Sequence, residues 1–105
     1  LLQDYGEVFP FDGVITSDDE LAIGVLKFAK SAGLSIPGDL SVIGYNNSKI
    51  GICCEPELTT IDNKLEFSCR HAVSVLMSVL NGKKVPAKTV ITAEIIARQT
   101  TDNHF

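Results

Sequence analysis

Two short apolar runs, Gly13-Val14-Ile15-Thr16 behind Asp12 and Leu40-Ser41-Val42-Ile43-Gly44-Tyr45, flank a segment with helical spacing, and this constrains the fold more than any other feature of the chain. Short β-branched runs bounded by polar residues read as buried strands. Antiparallel neighbours need only a hairpin loop, whereas a whole helix between two strands is normally a right-handed crossover joining parallel strands. The expected unit is βαβ, and the expected fold class is α/β with a parallel, Rossmann-like sheet.

The helix between the runs has its own start and stop signals. Ser17 and Glu20 stand at capping-box spacing, and the acids Asp18 and Asp19 suit the positive end of the helix dipole. Leu21, Val25, Ala29 and Ala32 line one face, as expected for packing on a sheet; Ile23 and Leu26 sit off that stripe, and Gly33 ends the helix. After the second strand, residues 46–57 read as a loop in which Pro56 excludes regular helix, and Leu58-Thr59-Thr60-Ile61 resumes an extended segment. A long helix is expected from about Asn63 to Leu80, with Leu65, Cys69, Ala72, Val73, Leu76 and Leu80 at helical spacing, Glu66 and Arg70 paired outside, and Gly82 as its cap. Residues 89–97 read as a final strand, and 102–105 as a fraying end.

Composition narrows the function. A chain of 105 residues with 45% hydrophobic content supports one domain, and a formal charge of −4 offers no basic stripe to neutralise phosphates, which argues against direct nucleic-acid binding by this segment. No apolar run approaches the roughly 20 residues of a membrane span, so no membrane partner is expected. The chain opens on Leu rather than Met, which is compatible with a leader or a further domain upstream. Three cysteines, Cys53, Cys54 and Cys69, are an odd number with two adjacent, a poor disulfide framework that fits free thiols in a reducing cytoplasm.

Metal and catalytic chemistry are poorly served. Cys69 and His71 lie two apart on a helix and diverge, which disfavours a zinc site with Cys53 and Cys54, and neither His71 nor His104 is spaced to activate a thiol. The acid pair Asp18-Asp19 after a strand suits magnesium-dependent phosphoryl transfer, but Asn46 and Asn47 stand where a further carboxylate is wanted. The expectation is a protein without metal or cofactor, and not an enzyme.

In a parallel sheet the loops leaving the C-terminal strand ends share one edge, the usual ligand crevice, so Asp18 and Asn46 should approach each other there. A carboxylate beside an amide suits the hydroxyls of a sugar or the edge of a base. The same residues also admit a purely structural reading, with Asp18 and Asp19 as helix-start acids and Asn46 as a turn residue.

At these positions the chain resembles a known family. The run Asp12-Gly13-Val14-Ile15-Thr16-Ser17-Asp18-Asp19-Glu20-Leu21-Ala22-Ile23-Gly24 is similar to the strand and A-N-D-x-x-A-L-G helix start of the lactose/galactose-repressor-type (LacI/GalR) transcription regulators. Gly33-Leu34-Ser35-Ile36-Pro37-Gly38-Asp39-Leu40-Ser41-Val42-Ile43-Gly44-Tyr45-Asn46-Asn47 resembles their G-L-x-V-P-x-D-V-S-V-V-G-F-D-D, and Pro56-Glu57-Leu58-Thr59-Thr60-Ile61 their P-x-L-T-T-V. Order and spacing match from about Asp12 to Thr101.

The resemblance implies the C-terminal part of a periplasmic-binding-protein-like effector domain, two α/β lobes closing on a small molecule, with a DNA-binding headpiece outside this chain. Residues 12–61 would belong to one lobe, 62–88 would supply a helix of the other, and 89–98 would return as a strand. Family ligand contacts map onto Asp18, often Asn in relatives, Asn46, usually Asp, and Asn63, often Gln. The implied partners are a small-molecule effector, a sugar or a related compound, a second copy of the chain contacted through Ile23, Leu26, Cys53 and Cys54, and operator DNA through the headpiece alone. The broad apolar surface of the 63–80 helix, including Val75 and Val79, is then expected either to fold back on the βαβ unit or to seek another chain. The alternative is a solute-binding protein of a sugar transporter, which shares the two-lobed fold.

Overall fold

Gly13–Ile15 (β1) and Ser41–Tyr45 (β2) lie parallel, with Val14 opposite Val42 and Ile15 opposite Ile43. The computed structural model describes residues 9–102; the beginning of the lead-in, and residues 103–105 of the end expected to fray, lie outside the described residues. Helix α1 (Asp19–Ser31) joins the two strands, completing the βαβ unit. Thr59–Asp62 (β3) adds parallel to β2, and Glu94–Ile96 (β4) adds antiparallel to β3, so the sheet order is β1-β2-β3-β4.

The expectation of a buried first strand fails. Among the described residues β1 is an edge strand with a single neighbour, and Ile15 is 71% exposed. The core instead forms under α1, where Ala22 and Ala29 meet Leu40, Val42 and Leu58, all fully buried, with Val14, Val25, Leu26, Leu34 and Ile36 packed around them. Complete burial of a Leu contributes about 1.5–3 kcal/mol, so Leu40 and Leu58 carry much of this small core.

The helix stripe is also turned relative to expectation. Leu21 is 56% exposed, whereas Ala22, Val25, Leu26 and Ala29 face the sheet, so Leu26 lies on the packed side rather than off it. The reason is at the helix start, where Asp18 rather than Ser17 is the N-cap and accepts from the Leu21 N–H at 2.8 Å. Asp19, the first helical residue, is buried, and an inward residue at that position brings Ala22 and Leu26 inward after it. At the other end Gly33 (φ 73) lets the Leu34 N–H reach the Ala29 carbonyl at 2.9 Å and its own N–H reach Lys30 at 3.3 Å, a Schellman stop. The turn into β2 is closed by Asp39, which accepts from the Ser35 N–H and hydroxyl; these hydrogen bonds hold its carboxyl below the usual carboxylate range.

Three further boundaries differ from expectation. The 46–57 loop contains a one-turn helix, α2 (Ile50–Cys53), ended as Cys54 becomes extended ahead of Pro56. The long helix, α3 (Leu65–Leu80), begins two residues late, because Asp62 accepts from the Lys64 N–H at 2.8 Å and Lys64 adopts a left-handed conformation (φ 55) that helix cannot continue through. The last strand shrinks to β4, since 89–92 run alongside α3 instead of pairing with the sheet; His71 Nε2 meets Thr89 Oγ1 at 3.3 Å.

Beyond β4 the chain is pinned through Thr101. Thr100 exchanges hydrogen bonds with Val42, its hydroxyl donating to the carbonyl at 2.6 Å and its carbonyl accepting at 2.9 Å, and Thr101 Oγ1 meets Thr59 Oγ1 at 2.9 Å. By contrast α3 has no buried residue and does not fold back on the βαβ unit, and the molecule is elongated, 62 × 26 × 23 Å. No described helix is long and apolar enough to cross a membrane.

Candidate ligand-binding edge

The loops at the C-terminal ends of β1, β2 and β3 carry Asp18, Asn46 and Asn63 in turn. Asn46 and Asn63 meet directly, the Asn63 Nδ2 donating to Asn46 Oδ1 at 2.9 Å. The delayed start of α3 makes this possible, because Asn63 stays outside the helix. Asn63 Oδ1 is buried with no hydrogen-bond partner among the described residues, an uncommon state for a buried polar atom. Asn46 lines an open cleft of about 560 Å³ together with Asn47, Asp62, Lys64, Phe67 and Arg70; Asp18 and Asn63 do not line it.

Asp18 has a double assignment. Its Oδ1 caps α1, as the structural reading of the sequence holds, and a carboxylate retains acceptor capacity beyond one such bond. No hydrogen bond among the described residues joins it directly to Asn46 or Asn63.

The loop after β2 is held in an unusual shape. Asn46 (φ 98) and Asn47 (φ 51) both lie at positive φ, where most L-residues are strained and Asn is tolerated best. The Asn46 N–H donates to Ile61 O at 2.9 Å and the Asn47 N–H to Thr60 Oγ1 at 3.2 Å. Arg98 donates from one guanidinium nitrogen to Asn47 Oδ1 at 2.7 Å and from another to Leu58 O at 2.9 Å.

Asp19, expected from the sequence as a helix-start acid, completes the arrangement in a different role. Only 1% exposed, its Oδ2 accepts from the Ser48 N–H at 2.7 Å and from the Ser48 hydroxyl at 2.8 Å, while its Oδ1 accepts from Thr60 Oγ1 at 2.7 Å. Gly44 makes room, since a Cβ there would collide with Asp19 Oδ1 and with Leu58 Cδ2. In the sequence the trace of this contact is Gly44 itself, since a lone Gly inside an apolar strand marks a close approach. Arg98 and Thr60 carried no comparable signal, because their partners are distant in sequence.

The residues expected at a chain–chain contact are spread over α1 and the α2 turn. Ile23 is half-buried, Leu26 packs on the core, Cys53 is exposed, and the Cys54 thiol donates to Gly51 O at 3.2 Å and Pro56 O at 3.3 Å.

A mostly parallel sheet with polar loops gathered at its strand ends defines an α/β domain of the kind that takes ligands at its strand ends. A family model described as a periplasmic binding protein-like domain matches residues 2–101. An HTH-type transcriptional regulator from Lachnoclostridium phytofermentans is 53% identical over 92 residues, covering 88% of this chain and 28% of that protein. A lactose operon repressor from Rhizobium radiobacter is 34% identical over 92 residues, covering 88% of this chain and 80% of its own length. Among solved structures, a LacI family transcriptional regulator from Arthrobacter sp. FB24 in complex with lactose superposes with a TM-score of 0.81 at 30% identity, covering 96% of this chain and 37% of that one. The chain belongs to the periplasmic-binding-protein-like family, among its lactose/galactose-repressor-type (LacI/GalR) transcription regulators. It spans about 28% of the length of the HTH-type relative.

Proposed function

We propose that this chain is part of the effector-binding domain of a transcription regulator, and that Asp18, Asn46 and Asn63 hydrogen-bond a small polar effector, a sugar. The observation that carries the reading is the Asn63–Asn46 hydrogen bond beside the cleft, which joins two of the three positions from separate strand ends into one polar unit. The lactose complex of the Arthrobacter relative supports the ligand class, and the regulators among its relatives favour this reading over a transporter's solute-binding protein. The activity proposed is binding, not catalysis.

In this reading residues 12–61 form one lobe, α3 belongs to a second lobe, and residues 89–98 return to the first. Ile23, Leu26, Cys53 and Cys54 contribute to contact with a second copy. Operator DNA is engaged through a headpiece outside this chain, and the effector alters the relative orientation of the lobes. Free thiols at Cys53, Cys54 and Cys69 suit a cytoplasmic protein.

A thermal-shift screen of the intact regulator against neutral sugars, sugar phosphates and nucleobases tests the proposal, because a ligand that binds only the folded state raises the melting temperature. A neutral sugar is expected to give the largest shift, and Ala at Asp18, Asn46 or Asn63 is expected to lower it. Undiminished shifts for all three variants would sink the assignment.

A further inference from the structure

Asn46, Asn47 and Ser48 are consecutive residues with consecutive clamps: Asn63 on the Asn46 side chain, Arg98 on the Asn47 side chain, and Asp19 on both the backbone and the hydroxyl of Ser48. We propose that Asp19 is the positioning residue of the ligand edge, a carboxylate that meets no ligand itself and holds the Asn46–Ser48 loop in its binding shape. This rests on the effector-binding reading for its meaning and on the hydrogen bonds alone for its geometry.

Three observations support it. A buried carboxylate is costly unless its oxygens are hydrogen-bonded, and all three donors to Asp19 come from the segments that follow β2 or form β3, which present Asn46 and Asn63. Capping of α1 is already performed by Asp18, so the helix start does not account for a second, inward acid. The third is the strain at Asn46 and Asn47: backbone at positive φ persists where its surroundings over-determine it, and Asp19 supplies that support twice. It grips Ser48 directly, and it orients Thr60 Oγ1, which donates to Asp19 and accepts from the Asn47 N–H.

The experiment is amide hydrogen exchange by NMR on the full chain, comparing the unaltered protein with Asp19→Asn, Asp19→Ala, Thr60→Val and the hydroxyl-retaining Thr60→Ser. For Asp19→Asn and Thr60→Val, exchange at Asn47 and Ser48 is expected to accelerate at least about tenfold, while Val42 and Ile43 in β2 change little, because local opening need not follow global opening. Thr60→Ser should restore protection. Equal acceleration in the loop and in β2 would show a role in overall stability only and overturn the proposal, as would an unchanged loop or a Thr60→Ser variant as loose as Thr60→Val. If Asp19→Ala does not fold, the isosteric Asp19→Asn and Thr60→Val decide. A second arm uses the intact regulator and lactose by calorimetry, where Asp19→Asn should weaken binding about tenfold. If the unaltered regulator bound none of the screened sugars, the effector reading would fall while the exchange data still decided on Asp19.

Discussion

Cys53 and Cys54 are neighbours in sequence, yet their thiols meet different surroundings. Cys53 is exposed, whereas Cys54 is half-buried and donates to two carbonyls. Burial pushes the Cys54 thiol above its usual range, outweighing the hydrogen bonds that act the other way. A thiol is neutral when protonated, so a raised value means that the folded chain holds this proton more tightly than the unfolded chain. The stability that follows is present in full below the ordinary thiol range and is lost as pH rises through the raised value. In a timed alkylation at mildly alkaline pH, mass spectrometry should find Cys53 and Cys69 labelled well before Cys54, and simultaneous labelling of all three would contradict the assignment. The same contrast between neighbours separates Asp18 from Asp19. Both are acids at a helix start in the sequence, and only the folded chain gives one to the cap and the other to Ser48 and Thr60.

At the scale of elements, α1 shows which signals are local. Its end was legible because Gly33 is a local device: a left-handed residue stops a helix whatever packs nearby. Gly33→Ala should therefore destabilise the chain by about 1–2 kcal/mol, the cost of placing a Cβ at positive φ. The space around Gly33 is open, so no clash adds to it, and a denaturant midpoint equal to that of the parent would refute this. The phase of α1 was less legible. Apolar residues at both 21 and 22 permit two stripes, and the choice falls on Ala22 because Asp19 is drawn inward by partners roughly thirty and forty residues away in sequence. For α3 the pattern showed a helix but not its first residue, since the Asp62–Lys64 turn competes locally with helix and leaves Asn63 free to reach Asn46.

At the scale of the whole molecule, α3 stands apart from the core, with Phe67, Val73, Leu76, Met77, Val79 and Leu80 all exposed. Apolar area of this extent on one helix is costly in water. Of the two outcomes expected from the sequence, folding back is not what the chain does, so the chain taken by itself, without the second lobe proposed for α3, is expected to associate. Sedimentation at rising concentration should therefore show species heavier than one chain, and Leu76→Glu with Leu80→Glu should remove the part of the association that runs through α3, leaving at most the contact through Ile23, Leu26, Cys53 and Cys54. A monomer at every concentration before substitution would count against it.

The sequence by itself determined the βαβ unit, the parallel pairing of β1 with β2, the polar character of the strand-end loops and the family. These depend on periodicity, on punctuation by Gly and Asn, and on ordered motifs, all of which act over a few residues or survive as pattern. Tertiary structure alone decided that β1 is an edge rather than a buried strand among the described residues, that Asn63 leaves the helix to join Asn46, and that Asp19, Thr60 and Arg98 brace the loop between them. The physical reason is that each of these outcomes is a hydrogen bond or a packing choice between residues far apart in the chain. Such a partner exists only once the sheet has brought the strand ends together.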